Sequence, residues 1–263
     1  MSGLGVRAAA SCLVVLALFV AGPARAATPA PPGAPAWETM APGAERARLA
    51  VGGGTEIQLY RFSLARYRPD VIVGAGWPPR PETAAELRRR RGGVAAVNGG
   101  FFDERRAPLG LRISLGETRV PVRRHVDWGV LLLDGETAHI VHSRALPPTP
   151  VARGAIQVGP RLVVGGAALK LKPQRARRTA VALDREGRTL TLVVVDAPID
   201  ANDLAAALVA GGFDAALMLD GGPSTQLSLE IGAVKAELPG GYPVPDLLVI
   251  GPARAAGSKA AAR

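Results

Sequence analysis

Two short segments of this 263-residue chain carry the residue types that suit chemistry on an anionic ligand. In each, an apolar stretch runs into Asn or Asp followed by two glycines, as Asn98-Gly99-Gly100 and as Asp220-Gly221-Gly222. Paired glycines allow backbone N–H groups to approach a ligand closely and to form an anion-binding nest. One Asn-Gly or Asp-Gly dipeptide alone favours a simple turn. Two copies in matched settings predict a shared site.

Charged side chains supply the remaining candidates for chemistry. Asp220 and Asp196 each end a predicted strand, where a carboxylate could stabilise positive charge in a transition state. Arg178 offers a bidentate fork for phosphate oxygens. Structural alternatives remain open for two of them: Asp196 precedes Ala-Pro and could cap a turn, and Arg178 could begin a solvated basic strand. Ser224 is a weak candidate nucleophile because it lacks a Gly-x-Ser-x-Gly setting and a committed His.

The elements that must position these side chains are mostly strands. Thr55 to Leu64 alternates in hydropathy, and hairpins are predicted over residues 128–141 and 179–196. Two helices are predicted, Thr83–Arg91 with a capping box to Glu86, and Asn202–Ala210 ended by Gly211-Gly212. The expected fold is mixed α/β (α+β), a single strand-rich domain with a mixed sheet and a few covering helices. Asn98 and Asp220 should open onto one cleft.

The termini predict export of a bacterial protein. Arg7, an apolar run and Ala24-Arg25-Ala26 indicate a signal peptide over residues 1–26, cleaved after Ala26. The alternative, a membrane anchor, would need a longer apolar run of about 20 residues. Residues 27–43 are expected to form a Pro/Ala-rich linker, 44–251 the domain, and 252–263 a basic flexible tail. The mature protein should therefore be secreted or periplasmic, with no stable membrane span.

Composition narrows the class of function. The single cysteine, Cys12, lies inside the predicted signal peptide, which excludes disulfides, thiol nucleophiles and Cys-ligated metals from the mature chain. The net charge of +10 speaks to solubility and non-specific attraction rather than to fold. Only 4% of residues are aromatic, and the run Arg88–Arg91 suits a helix C-terminus, so nucleic acid is not an expected partner. No metal or cofactor is expected, and the oligomeric state is left open.

Four motifs in order give the chain a resemblance to a known family: 96–102 (AVNGGFF), 157–160 (QVGP), 178–181 (RTAV) and 219–224 (LDGGPS). Together they resemble the phosphodiester glycosidase family, which includes enzymes that remove N-acetylglucosamine from phosphodiesters and bacterial relatives linked to exopolysaccharide. The similarity covers about residues 94–250. One departure is Val158, which stands where a small hydroxylated residue is expected.

The resemblance implies an exported hydrolase that cleaves the C1–O bond of a sugar-1-phosphodiester. Asp220 and Asp196 are then the candidate catalytic carboxylates. The candidate substrate-binding residues are Asn98, Gly99, Gly100, Phe101, Gln157, Arg178, Gly221, Gly222 and Ser224, with the glycine N–H groups acting as oxyanion donors. Two alternatives stay open: a non-catalytic binder of anionic envelope glycans, and a phosphodiesterase that cleaves P–O.

Overall fold

The computed structural model describes residues 33–253. In that range the chain forms two helices, α1 (Ala84–Arg91) and α2 (Ala201–Ala210). Its strands are β1 (Glu38–Ala41), β2 (Ala44–Val51), β3 (Thr55–Ser63), β4 (Tyr67–Val73), β5 (Ala95–Asn98), β6 (Arg112–Ser114), β7 (Glu117–Val120), β8 (Gly129–Asp134), β9 (Thr137–His142), β10 (Gly154–Val158), β11 (Arg161–Val164), β12 (Ala167–Ala168), β13 (Arg175–Leu183), β14 (Thr189–Asp200), β15 (Ala215–Met218), β16 (Leu227–Ile231), β17 (Val234–Leu238) and β18 (Asp246–Pro252). The predicted signal peptide and residues 254–263 of the predicted tail lie outside the described residues.

The strands form three sheets. The large sheet has the order β1-β2-β3-β14-β13-β15-β11-β12, the β10 sheet β7-β6-β10-β8-β9, and the β5 sheet β17-β16-β5-β18-β4. Every strand pairing found between residues 33 and 253 is antiparallel. The prediction of a strand-rich fold with a few helices is confirmed, whereas the expected mixed sheet is corrected to antiparallel sheets. Parallel neighbours need long, usually helical crossovers, and this region contains only two helices to supply them.

The core lies between the sheets, as the alternation along β3 predicts. Ile57 and Leu59 face one hydrophobic cluster, which lies between the large sheet and α2. Tyr60 and Phe62, with Leu64 just beyond the strand, face the other cluster, which draws residues from all three sheets. The large sheet is therefore covered on both faces, which holds its strands rigidly enough to position side chains at their ends.

Both helices form where the sequence predicts them, and each covers a different sheet. Thr83 caps α1 in a capping box with Glu86, and Gly92 ends the helix in the left-handed conformation with φ of 62°. Leu87 packs α1 against Leu247 of the β5 sheet. Asp200 caps α2, and its side chain accepts from the N–H of Asn202.

The N-terminal boundary differs from the sequence prediction. Residues 38–41, placed in the expected linker, form strand β1, which pairs with β2 through a tight turn at Pro42-Gly43. The sequence did not predict this edge strand because its hydropathy is low. Strand β1 is held by ladder hydrogen bonds and by exposed contacts, such as the Arg46 Nε donating to the Glu38 carboxylate at 2.6 Å. No helix in residues 33–253 is long and apolar enough to cross a membrane.

Candidate active site

The two Gly-Gly motifs meet, although they follow strands of different sheets. The Asn98 Nδ2 donates to the carbonyl oxygen of Asp220 at 2.7 Å, and the N–H of Asp220 donates to the carbonyl oxygen of Gly99 at 3.0 Å. The expectation that Asn98 and Asp220 lie together is confirmed, whereas the expectation that both open onto one cleft is corrected, because Asn98 is fully buried. These two bonds join the end of β5 to the segment after β15, and so fix the junction between the two sheets.

Asn98 is a positioning residue at this junction. Its side chain is fully buried, and its Oδ1 accepts from the hydroxyl of Thr179 at 2.7 Å and from the N–H of Gln226 at 3.2 Å. With Nδ2 bonded to the Asp220 carbonyl, the amide is occupied on both sides. Asn98 was expected to bind substrate, but its hydrogen bonds go to the protein, because this is where backbone polar groups of two sheets need partners.

Asp220 is half-buried and held by its own loop. Its Oδ1 accepts from the N–H of Gly221 at 2.9 Å, and its Oδ2 accepts from the Ser224 hydroxyl at 2.6 Å. The Tyr242 hydroxyl lies 3.3 Å from the Ser224 Oγ. Burial raises the pKa of Asp220 above its ordinary value; the two hydrogen bonds oppose this shift, and the charge of Asp246 adds to it. Ser224 is therefore placed to orient Asp220.

Arg178 lies beside the glycine that follows Asp220. Its side chain runs beside Gly221, where a Cβ would be 3.8 Å from the Arg178 Cδ and 3.9 Å from its Nη1. One terminal nitrogen, Nη2, donates to the Gln174 carbonyl, while Nε is buried without a partner among residues 33–253. Burial lowers the pKa of Arg178, with the charge of Asp200 opposing the shift. A buried guanidinium with unused donors is suited to an anionic ligand.

The glycines provide space more than hydrogen-bond donors. The N–H groups of Gly99, Gly100 and Gly221 are bonded to the Asp246 carbonyl, the Asp246 Oδ1 and the Asp220 Oδ1, each at 2.9 Å. The expectation that these three donate to an oxyanion is therefore corrected, because neighbouring acceptors already occupy them. Gly222 differs: its N–H has no partner in the described part of the chain, and a Cβ there would meet nothing within 4 Å. The site opens at Gly222.

A buried ion pair that the sequence analysis missed supports the Gly99-Gly100 turn. Arg112 Nε lies 3.0 Å from Asp246 Oδ1, and both side chains are fully buried. Arg112 also donates to the carbonyl oxygens of Gln157 at 2.9 Å and Phe101 at 3.2 Å. The available signals were a charged residue in the apolar run 109–113 and an acid directly before the apolar strand 247–250.

Gln157 and Val158 lie behind this layer. The Gln157 Oε1 accepts from the N–H groups of Leu111 and Arg123, and its Nε2 donates to the Arg123 carbonyl and the Ser143 hydroxyl, at 2.7 to 2.9 Å. All four hydrogen-bonding positions of the amide are thus used within the protein, so its expected role as a substrate contact is corrected to bracing the loop at Arg123. Val158 is fully buried in the core.

Aromatic side chains border the site. Phe101 is partly buried and packs edge-on against Trp128, with ring centroids 5.1 Å apart. Phe102 packs edge-on against Tyr242 at 6.1 Å, and the Arg106 guanidinium lies 5.0 Å from the Tyr242 ring. These contacts fix the position of Tyr242 beside Ser224, a residue that the sequence analysis did not select.

Asp196 lies apart from Asp220. Its side chain is half exposed and pairs with Arg177 at 2.8 Å, and within the described residues no hydrogen bond or ion pair joins it to Asp220. The link between them is indirect, since the Arg177 carbonyl would lie 2.8 Å from a Cβ on Gly221. Across residues 33–253, no group of three or more His, Cys, Asp or Glu side chains is arranged to hold a metal ion.

Comparison with solved structures shows relatives of this fold. The catalytic domain of zebrafish N-acetylglucosamine-1-phosphodiester alpha-N-acetylglucosaminidase, auto-inhibited by its pro-peptide, has a TM-score of 0.61 and 18% identity, with 83% of this chain and 86% of that chain covered. A hypothetical protein from Synechocystis has a TM-score of 0.59 and 16% identity, with 82% and 64% covered. A candidate exported protein from Burkholderia pseudomallei K96243 has a TM-score of 0.57 and 15% identity, with 75% and 74% covered.

Sequence comparison identifies the family. Curated protein sequences give no match to the chain. The family model for phosphodiester glycosidases matches residues 91–251, a segment that contains β5, the Asp220 loop, Arg178 and the Arg112–Asp246 pair. This match covers more than half of the chain, and it agrees with the four ordered motifs. The chain belongs to the phosphodiester glycosidase family.

Proposed function

We propose that this protein is an exported glycoside hydrolase that cleaves the bond between the anomeric carbon and the oxygen of a sugar-1-phosphodiester. The observation that carries the proposal is the setting of Gly221, which directly follows the half-buried carboxylate of Asp220 and lies beside the buried guanidinium of Arg178, whose Nε has no partner in residues 33–253. These two side chains would supply opposite charges for the two halves of one substrate.

Asp220 serves the sugar half. Breaking the C1–O bond develops positive charge on the anomeric carbon, and a carboxylate beside it stabilises that charge. The raised pKa also makes the carboxylate a stronger proton acceptor than an exposed Asp, which favours deprotonation of the attacking water. Ser224 holds one oxygen at 2.6 Å, so Asp220 needs little reorganisation during the reaction.

Arg178 and Gly222 serve the phosphate half. The guanidinium neutralises charge on the departing phosphate, and the unpartnered N–H of Gly222 adds an uncharged donor at the open end of the site. Water attacks C1, the C1–O bond breaks, and the products are the free sugar and a phosphomonoester, with the proton of water passing to Asp220. Asp196, with its partner Arg177, is the second candidate carboxylate at the margin.

The biological setting in this proposal is an exopolysaccharide or envelope glycan. The N-terminal sequence supports export, and one structural relative is described as a candidate exported protein. The first substrate to test is an N-acetylglucosamine-1-phosphodiester, because the zebrafish relative carries that substrate in its name.

Hydrolysis in heavy-oxygen water tests the proposal. Cleavage of C1–O leaves the phosphomonoester unlabelled, whereas cleavage of P–O places heavy oxygen on phosphorus, and phosphorus NMR separates the two. Labelled phosphate would establish the phosphodiesterase alternative. Absence of turnover across a panel of sugar-1-phosphodiesters would favour the non-catalytic glycan binder. The matched control for Asp220→Asn is Asp203→Asn, which replaces an exposed acidic residue of α2.

A further inference from the structure

The C-terminal half of α1 is surrounded by three adjoining cavities that the proposed active site does not use. Their volumes are about 530, 400 and 320 Å³. Arg90 borders all three, and Arg80 and Arg91 each border two of them. Cavities of 300 to 1,000 Å³ are the size at which proteins bind small ligands. We call this region the arginine pocket, defined by Arg80, Arg89, Arg91 and Arg119.

The acidic side chains bordering these cavities already have partners. Glu82 makes a two-point contact with Arg90, with Arg90 Nε donating at 2.9 Å, and Asp70 pairs with Arg68 and Arg153. Glu86 is held by the capping box, whose hydrogen bonds lower its pKa, and the nearby charges of Arg80 and Arg89 lower it further. The fourth acidic residue, Glu117, is largely exposed, and its carboxylate lies 4.0 Å from the Arg119 guanidinium, which is a weak ion pair.

The arginines of the pocket are therefore in excess. Among residues 33–253, Arg80, Arg89 and Arg91 make no ion pair, and all three are exposed. By contrast, Arg88 of the same run is buried and bonded to Ser228 at 2.7 Å, which gives it a structural role. The run Arg88–Arg91 thus divides into one buried anchor and several outward charges.

The helix dipole alone does not account for this cluster. Cations in the last turn of a helix are stabilised by its dipole, which explains Arg89 and Arg91. Arg80, however, comes from the loop after β4, and Arg119 comes from β7. Three separate elements thus direct guanidinium groups to one concave region, and this convergence is typical of an anion-binding site.

Exposed apolar side chains flank the same region. Trp77 is 62% exposed in the loop between Ala75 and Arg80, both of which border the 530 Å³ cavity. Leu115, in the turn between β6 and β7, also borders that cavity. Its side chain is 47% exposed, and its backbone has a positive φ of 54°. An exposed aromatic ring offers an apolar face to a ligand while the arginines hold its charges.

The pocket lies close to the proposed active site. Val73 borders it, pairs with Asp246 on β18, and β18 in turn pairs with β5 through Leu247 and Asn98. Two strand spacings of about 4.8 Å separate Val73 from Asn98, or about 10 Å in all. The pocket and the junction at Asn98 thus belong to the same sheet.

We propose that the arginine pocket binds the acidic groups of an anionic oligosaccharide, holding a segment of the chain beyond the unit that is cleaved. The ligand class rests on the proposed function, whereas the binding itself needs no hydrolysis. The concave shape and the volume of the pocket favour a glycan, which such a cavity can enclose.

The test is binding of a fluorescent oligogalacturonate of six residues, which carries carboxylates and no phosphodiester. Wild-type protein should bind it, and Arg80→Gln with Arg91→Gln should weaken binding at least tenfold. Arg48→Gln with Arg185→Gln removes the same charge from side chains that are 71% and 84% exposed elsewhere, and it should change binding less than twofold. Labelled maltohexaose, which is neutral, should not bind.

Several results would overturn the proposal. These are no binding by the wild-type protein, equal loss in the two double variants, equal binding of maltohexaose, or binding only to phosphatidylglycerol vesicles. Because the probe cannot be hydrolysed as a phosphodiester, loss of the proposed activity in the heavy-oxygen assay would leave this outcome unaffected. The two proposals therefore fail separately.

Discussion

Replacing Asp220 by Asn removes a charge while keeping the shape of the candidate catalytic side chain. The amide oxygen can accept from the N–H of Gly221, and the amide nitrogen can donate to the Ser224 hydroxyl, which reverses its role from donor to acceptor. Both hydrogen bonds are therefore available to the variant. A loss of activity would reflect the missing charge, because the loop geometry is retained.

The expected loss is at least 100-fold in kcat, which corresponds to about 2.7 kcal/mol of transition-state stabilisation. Stability should change in the opposite direction. Since burial raises the pKa of Asp220 in the folded state, the wild-type protein loses stability as pH rises from the ordinary Asp value of 3.8 through the raised value. Asp220→Asn should lack this loss, so its melting temperature should equal that of the wild type in acid and exceed it at neutral pH.

Steady-state kinetics on a sugar-1-phosphodiester and thermal melts between pH 3 and pH 8 measure the two effects. The control, Asp203→Asn, should leave kcat unchanged. A folded Asp220→Asn variant that keeps kcat within about fivefold of wild type would refute the assignment. The next carboxylate to test would then be Asp196.

Three further substitutions test the surroundings of the site. Gly99→Ala places a Cβ 1.9 Å from the Asp246 Oδ1, so it should lower the free energy of unfolding by about 3 kcal/mol in urea titrations. The control is Gly251→Ala, whose Cβ would have nothing within 4 Å and which should leave the free energy of unfolding nearly unchanged. Asp246→Asn leaves the Arg112 charge buried and unpaired, and should cost about 3–5 kcal/mol in the same titration; a loss under 1 kcal/mol would contradict the pairing. Arg178→Lys should raise KM for a phosphodiester about tenfold, because an ammonium lacks the fork, and leave KM for a neutral aryl glycoside unchanged.

Local patterns predicted the elements that carry strong signals of their own. The alternation along residues 57–64 identified both faces of β3, and the capping box from Thr83 to Glu86 identified the start of α1. The matched motifs at Asn98 and Asp220 even predicted a contact between residues 122 positions apart. In each case a few adjacent residues determine the local geometry, whatever the rest of the fold does.

Features that depend on distant partners could not be predicted in this way. Arg112 and Asp246 become a buried pair only when β6 and β18 are brought together. The residues flanking each of them in the sequence do not indicate which residue will be its partner. The N–H groups of Gly99 and Gly100 were expected to be free for a ligand, and Asp246 occupies them from 146 or more residues away. Gly-Gly motifs therefore indicate where another group approaches the backbone closely. They do not indicate whether that group belongs to the substrate or to the protein.

The accessibility of the acidic side chains indicates which type of bond the site can cleave. Asp246 is enclosed with Arg112 and bonded to Gly100, so it cannot reach a leaving group, whereas Asp220 is only half-buried and precedes the glycine beside Arg178. An ordinary glycoside leaves as a basic alkoxide and needs a general acid as well as a second carboxylate. A phosphodiester leaves as a stable anion of low basicity, for which charge neutralisation by a guanidinium is enough. In the proposed mechanism, the Asp220 carboxylate and the buried Arg178 are therefore a sufficient set for a phosphate leaving group, and an insufficient one for an alkyl glycoside.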